Sequence, residues 1–163
     1  MDVVRTSQLQ WAEAMDRGAF RQRRKHLGGE KLSCGLWELP PGKRSFPLNV
    51  HYLTEEALFV LSGTGKVRTP EGETNIGPGD FVSFPAGGPA HQLVNDGAEP
   101  LVYVGMAAVT GADIVEYPDK VAASLGLGPG RKRFMFRRDS QVDYFDGEPD
   151  AASRGESGGN TTA

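Results

Sequence analysis

The sequence predicts an all-β domain, a sandwich or barrel of jelly-roll type. Three features carry that expectation. Glycine and proline, 22 and 11 of the 163 residues, punctuate the middle of the chain at short intervals. β-Branched and aromatic runs fill the spaces between them, and no long stretch shows the apolar period of a helix. Strands at such even spacing, folded as a jelly roll, limit exposed sheet edges.

Along the chain, SQLQWAEAM reads as a short helix capped by Thr6 or Ser7, followed by a strand at AFRQRRKHL. Strands then follow at 33–39, 48–53, 56–63, 65–69, 73–76, 80–84, 91–95 and 100–109. Pro70-Glu71-Gly72 joins two of them; proline sets φ and glycine can take φ > 0, so a hairpin is expected. IGPGD and PAGGPA are two further tight corners. The segment DIVEYPDKVAASLGLGPG predicts an extended piece, a helical turn at KVAASL and a Gly-Pro-Gly break, packed outside the barrel. In RKRFMFRR, Phe134 and Phe136 alternate with Met135, the pattern of a strand with one buried face. That cluster reads either as a charged edge that discourages pairing or as a patch for phosphates or nucleic acid. From about Gly147 the chain has no large apolar residue, so it cannot offset the entropy of ordering. The expected organisation is an N-terminal extension (1–30), a barrel core (31–112), a C-terminal extension packed on it (113–146) and a disordered tail (147–163).

Composition narrows the functional classes. A net charge of −3 with both signs interspersed creates no field for nucleic acid or an anionic membrane. The lone Cys34 cannot form an internal bridge, and MDVVRTSQLQW lacks a secretory pattern, so a cytoplasmic location is expected. The apolar runs ALFVL and LVYVGMAAV fall far short of the roughly 20 residues that cross a bilayer.

Of the three histidines, His26 sits in a basic stretch and reads as a surface residue. His51 and His91 begin apolar strands that bracket the Gly/Pro corners, where a barrel mouth gathers its functional groups. Alternation places Asn49 with His51, Glu56 with Leu58 and Val60, and His91 with Leu93 and Asn95. If those faces point inward, two imidazoles and a carboxylate form a set able to hold a first-row metal with open positions for substrate. The competing reading makes His51 and His91 satisfied core groups and leaves Glu56 exposed. Cys34 reads as a small buried residue.

The stretch from Pro41 to Gly63 resembles the first motif of the cupin superfamily, G-x5-H-x-H-x4-E-x6-G, through His51, Glu56 and Gly63. Gly79 to Asn95 resembles the second, through Gly79, Pro85, Gly87, His91 and Asn95. The resemblance covers roughly residues 33–110, and RFMFRRDSQVDYFDGE is similar to the extension of small cupins, some labelled sugar-phosphate isomerases on similarity alone. It implies a double-stranded β-helix barrel with metal ligands at His51, Glu56 and His91 and a homodimer. The metal would be a divalent ion such as iron, manganese, zinc or nickel. Asn49 departs from the pattern, standing where the motif has its first histidine. An amide oxygen is a weaker and harder ligand than imidazole, so the site is either retuned or abandoned.

Two functions follow. One is a metal-dependent enzyme, isomerase- or dioxygenase-like, acting on a sugar, sugar phosphate or carboxylic acid, with Glu56 as ligand or proton shuttle. The other is a small-ligand carrier or sensor with a weakened or lost metal site. A transcription factor fits less well, because the segment before the barrel is short for a helix-turn-helix domain.

Overall fold

The computed structural model describes residues 2–120, 122–127 and 132–147. Among the described residues thirteen strands run in chain order: β1 (Ala12–Arg17), β2 (Phe20–Gly28), β3 (Leu32–Leu39), β4 (Val50–His51), β5 (Glu56–Ser62), β6 (Gly65–Thr69), β7 (Gly72–Ile76), β8 (Phe81–Phe84), β9 (Gln92–Val94), β10 (Leu101–Ala108), β11 (Ala112–Tyr117), β12 (Ala122–Leu127) and β13 (Lys132–Arg137). They form a six-stranded sheet in the order β1-β2-β3-β10-β5-β8, a three-stranded sheet β7-β6-β9 and a four-stranded sheet β13-β12-β11-β4. Every pairing between these strands is antiparallel. The two smaller sheets are joined by an antiparallel bridge between Asn49 and His91.

Period-two alternation decides what each strand buries. On β5, Leu58 and Val60 are buried whereas Phe59 and Leu61 are exposed. The core packs Leu39, Leu58, Val60, Leu101 and Tyr103 of the six-stranded sheet against Val67, Ile76 and Leu93 of the three-stranded one. Leu39 and Leu101 face each other in register on β3 and β10, both at 0% exposure. Truncating either to alanine should cost about 2–5 kcal/mol. The hairpin at Pro70-Glu71-Gly72 is present as the β6–β7 connection. Gly63, at φ +75°, closes the corner after β5, and a Cβ there would stand 2.2 Å from the Pro100 carbonyl oxygen.

Three local expectations change. The N-terminal helix is absent: Thr6–Gln8 make a single 3-10 turn without a side-chain cap, and β1 follows. One uncapped turn does not nucleate a helix, whereas β2 offers a pairing edge and Arg23 and Lys25 hold the Trp11 ring from 4.9 Å each. The turn expected at KVAASL falls earlier, at Pro118–Lys120, where proline presets φ, and the following residues form β12. The segment after residue 112 is also not merely external, because β11 pairs with β4 and Val115 and Tyr117 face the interior cavity. β13 is a strand, but residues 133–137 are exposed on both faces, since β13 is the edge of its sheet. The Gly-Pro-Gly break at 128–130 and the expected tail beyond Gly147 lie outside the described residues.

Candidate functional site

The end of the barrel above the packed core holds a cavity of about 640 Å³, lined by Asn49, His51, Glu56 and His91 among others. Three separate stretches deliver these groups. His51 comes from β4, whose carbonyl oxygen accepts a hydrogen bond from the Gly87 N–H at 2.8 Å. Glu56 begins β5. His91 precedes β9 and exchanges two backbone hydrogen bonds with Asn49, at 2.8 and 3.2 Å.

The side chains converge on one atom. Glu56 Oε2 lies 3.5 Å from His51 Nε2 and 3.4 Å from His91 Nε2. The structure thus brings the sequence-expected histidines and glutamate together, and all three are largely shielded, at 19%, 13% and 29% side-chain exposure. Asn49 is buried beside them, lines the cavity and makes no side-chain hydrogen bond among the described residues. Asn95 does not belong to the site. Its amide donates to the Leu39 and Glu99 carbonyls at 2.8 and 2.9 Å and accepts from the Gly97 N–H at 3.0 Å, clamping a corner.

One member of the site was not foreseen. Asp113 on β11, 2% exposed, places Oδ2 2.5 Å from His51 Nδ1. A sequence signal existed: Asp113 occupies the inward phase of an alternation with Val115 and Tyr117, and a carboxylate there requires a partner. Burial alone would raise the Asp113 carboxyl. Hydrogen bonds from His51, Thr54 and the Leu53 N–H outweigh it and hold the group below its ordinary value of 3.8.

That pairing fixes the chemistry of His51. An ionised Asp113 only accepts, so Nδ1 carries the proton, and a neutral His51 turns the Nε2 lone pair toward the Glu56 oxygen. Acceptor then faces acceptor at 3.5 Å, a contact that needs a cation or a second ring proton between the two atoms. His91 differs. Its ring stacks on Phe84, centroids 3.7 Å apart, and its Nδ1 is buried without a hydrogen-bond partner. A neutral His91 therefore favours an Nε2–H directed at Glu56, leaving only a lone pair unsatisfied at Nδ1.

Whether these groups fit a metal ion can be tested on geometry. Two donors about 2.1 Å from one ion, at a near-tetrahedral angle, stand about 3.4 Å apart, which is the observed nitrogen–oxygen spacing. His51 also has the carboxylate partner that ligating imidazoles commonly have, while His91 lacks one. The donor set fits in kind, with half of its outer support built. As they stand, no three His, Cys, Asp or Glu side chains among the described residues form a ready-made cage.

Aromatic groups shape the rest of the cavity. Trp37 stacks nearly parallel to Tyr103, centroids 6.4 Å apart, and meets Phe46 edge-on at 5.9 Å. Its indole lies over Gly35 and Gly105, which face each other in register on β3 and β10; a Cβ on either would come within 2.9 Å of Trp37 Nε1. Burial, then the charge of Glu56, pushes the Tyr103 phenol above its ordinary range. Its hydroxyl donates to Gln22 Oε1 at 3.2 Å. No helix among the described residues is long and apolar enough to cross a membrane.

Comparison with known proteins agrees with this architecture. Residues 35–107 match the Cupin domain family. A provisionally named sugar phosphate isomerase from Acidithiobacillus ferrooxidans superposes with a TM-score of 0.78 at 27% identity, covering 86% of this chain and 94% of its own. A structure from Silicibacter pomeroyi, described as a sugar phosphate isomerase from a cupin superfamily, gives 0.75 at 20% identity over 89% and 98%. A predicted oxalate decarboxylase from Thermotoga maritima gives 0.60 at 21% over 67% and 100%. No curated protein matches the chain. The motif spacing, the antiparallel jelly-roll sheets and the match over the barrel strands together make residues 35–107 a cupin domain.

Proposed function

We propose that the cavity binds a divalent metal ion through His51, Glu56 and His91, with the Asn49 amide oxygen as a further contact, and acts on a small polar molecule as an isomerase. The carrying observation is the approach of the His51 Nε2 lone pair to the Glu56 oxygen, which a cation between them would relieve. A bound divalent ion would supply Lewis-acid polarisation of a substrate carbonyl.

The chain's own groups supply the rest. Asp113 holds His51 in one tautomer and one orientation. Glu56, directed into the cavity from the start of β5, is placed to take a proton from a carbon beside a bound carbonyl and return it to the neighbouring position, which is the transfer an isomerase needs. Trp37, Tyr103 and Phe46 form an apolar wall that limits water around that exchange. The name given to the Acidithiobacillus ferrooxidans protein supports the isomerase reading over an oxygenase.

A second reading, a ligand-binding module without metal, draws on the unsupported His91 Nδ1 and on Asn49 in place of an imidazole. Elemental analysis of untagged protein grown with several metal supplements separates the two. The first reading expects close to one equivalent of a divalent metal, lost in Glu56→Ala; no stoichiometric metal under any supplement would sink it. Asn49→His should then raise affinity for zinc or nickel, whereas equal affinity would mean three ligands already suffice.

A further inference from the structure

The same cavity carries a second kind of group, at positions the metal reading leaves unused. Arg24 and His26 on β2, Lys120 at the end of the 3-10 turn and Arg133 on β13 all line it. Four cations elsewhere are matched to acids: Arg23 to Glu38, Arg68 to Asp119, Lys66 to both Glu73 and Asp96, and Arg21 to Asp16; others, such as Lys25 and Lys43, reach backbone carbonyls. No carboxylate among the described residues lies within ion-pair distance of Arg24, His26, Lys120 or Arg133.

Two of these cations are positioned by aromatic faces instead. The Arg24 guanidinium lies 5.4 Å from the centre of the Trp37 ring, and Lys120 Nζ lies 5.2 Å from that of Tyr117. A ring quadrupole orients a cation without cancelling its charge, so each keeps its full charge for a ligand. The turn that carries Lys120 is itself pinned, because Asp119 accepts from Arg68 at 2.8 and 3.2 Å.

We infer that Arg24, His26, Lys120 and Arg133 form an oxyanion subsite that holds the phosphate group of a small phosphomonoester. The ligand's other end reaches His51, Glu56 and His91. Three permanent cations and a histidine lining one cavity repel one another, and an anion bound among them relieves that repulsion. Their number suits a phosphate dianion better than a singly charged carboxylate, and arginine offers paired N–H donors to its oxygens. In this assignment the cations hold one end of the ligand, and His51, Glu56 and His91 take the other. Only the description of that second end rests on the proposed function.

Titration calorimetry of the full-length protein with inorganic phosphate, before and after metal removal with a chelator, tests the assignment. Saturable binding is expected in both states. Arg24→Gln and Lys120→Gln should each weaken it about tenfold or more, and Arg24→Lys should recover part of the loss. Thermal unfolding of each variant checks that the fold is kept. Glu56→Ala should retain phosphate binding while losing metal, whereas Arg24→Gln should retain metal while losing phosphate. Failure of the metal reading and failure of this one are thus read separately. Unchanged affinity in both cation variants, equal affinity for acetate, or binding seen only in the metal-loaded protein would each overturn the subsite.

Discussion

Asp113 Oδ2 and His51 Nδ1 lie 2.5 Å apart although 62 residues separate them in the chain. The carboxylate accepts a hydrogen bond from Nδ1–H and so leaves Nε2 a lone pair facing the cavity.

Asp113→Asn should weaken divalent-metal binding about 10- to 100-fold, because an amide N–H directed at Nδ1 moves the ring proton to Nε2. Asp113→Ala also strips His51 and the Leu53 N–H of an acceptor and should cost about 1–3 kcal/mol of stability. Metal titrations and thermal unfolding of both variants check this. Unchanged metal affinity in Asp113→Asn would show that the carboxylate does not set the tautomer.

Gly105→Ala places a methyl group 2.8 Å from Trp37 Nε1 and 2.9 Å from Cδ1. The indole must move toward the cavity, which it already lines, at a cost of about 1–3 kcal/mol. The expected result is a shifted Trp37 emission in a Trp11→Phe background and weaker small-ligand binding, with metal content unchanged. An unaltered spectrum would mean that the strand absorbs the methyl instead.

The Asp119 carboxyl is held below its ordinary value of 3.8, first by the hydrogen bond from Arg68 and against a smaller effect of burial. Its folded value is depressed, so the stabilisation is fully present above the unfolded value of about 3.9 and is lost as pH falls through the folded one. The pair is 31% and 50% exposed, which limits the effect to about 0.2–1 kcal/mol. Asp119→Asn should lower Tm slightly at pH 7, and the gap between the two proteins should narrow in melts as pH falls below the unfolded value. A separation that persists undiminished to pH 2 would contradict the assignment.

The barrel was legible because period-two alternation and turn chemistry are local. Leu58 and Val60 inward, Gly63 at a corner and the Pro70-Glu71-Gly72 hairpin follow from neighbours within a few positions. His51, Glu56 and His91 could be found because two motifs fix them at set spacings. Asp113 and the cavity cations were harder, since their meaning depends on which distant strand they meet. The pairing of β11 with β4 leaves no mark on the residues near Asp113 beyond one acid in an apolar phase. The N-terminal segment failed for a related reason. SQLQWAEAM suits a helix locally, but β2 supplies an edge that only the folded chain reveals.

β4 contains two residues, one of them His51. A strand of that length has no stability of its own, and its neighbours come from remote parts of the chain: β11 on one side, and the corner at Gly87 and His91 on the other. Contacts between distant segments form only after the intervening loops have closed, against their entropy. During synthesis His51 therefore emerges well before the strand that orients it. The cluster of His51, Glu56 and His91 is a late product of folding, and occupancy at His51 would report a finished barrel rather than a locally ordered strand.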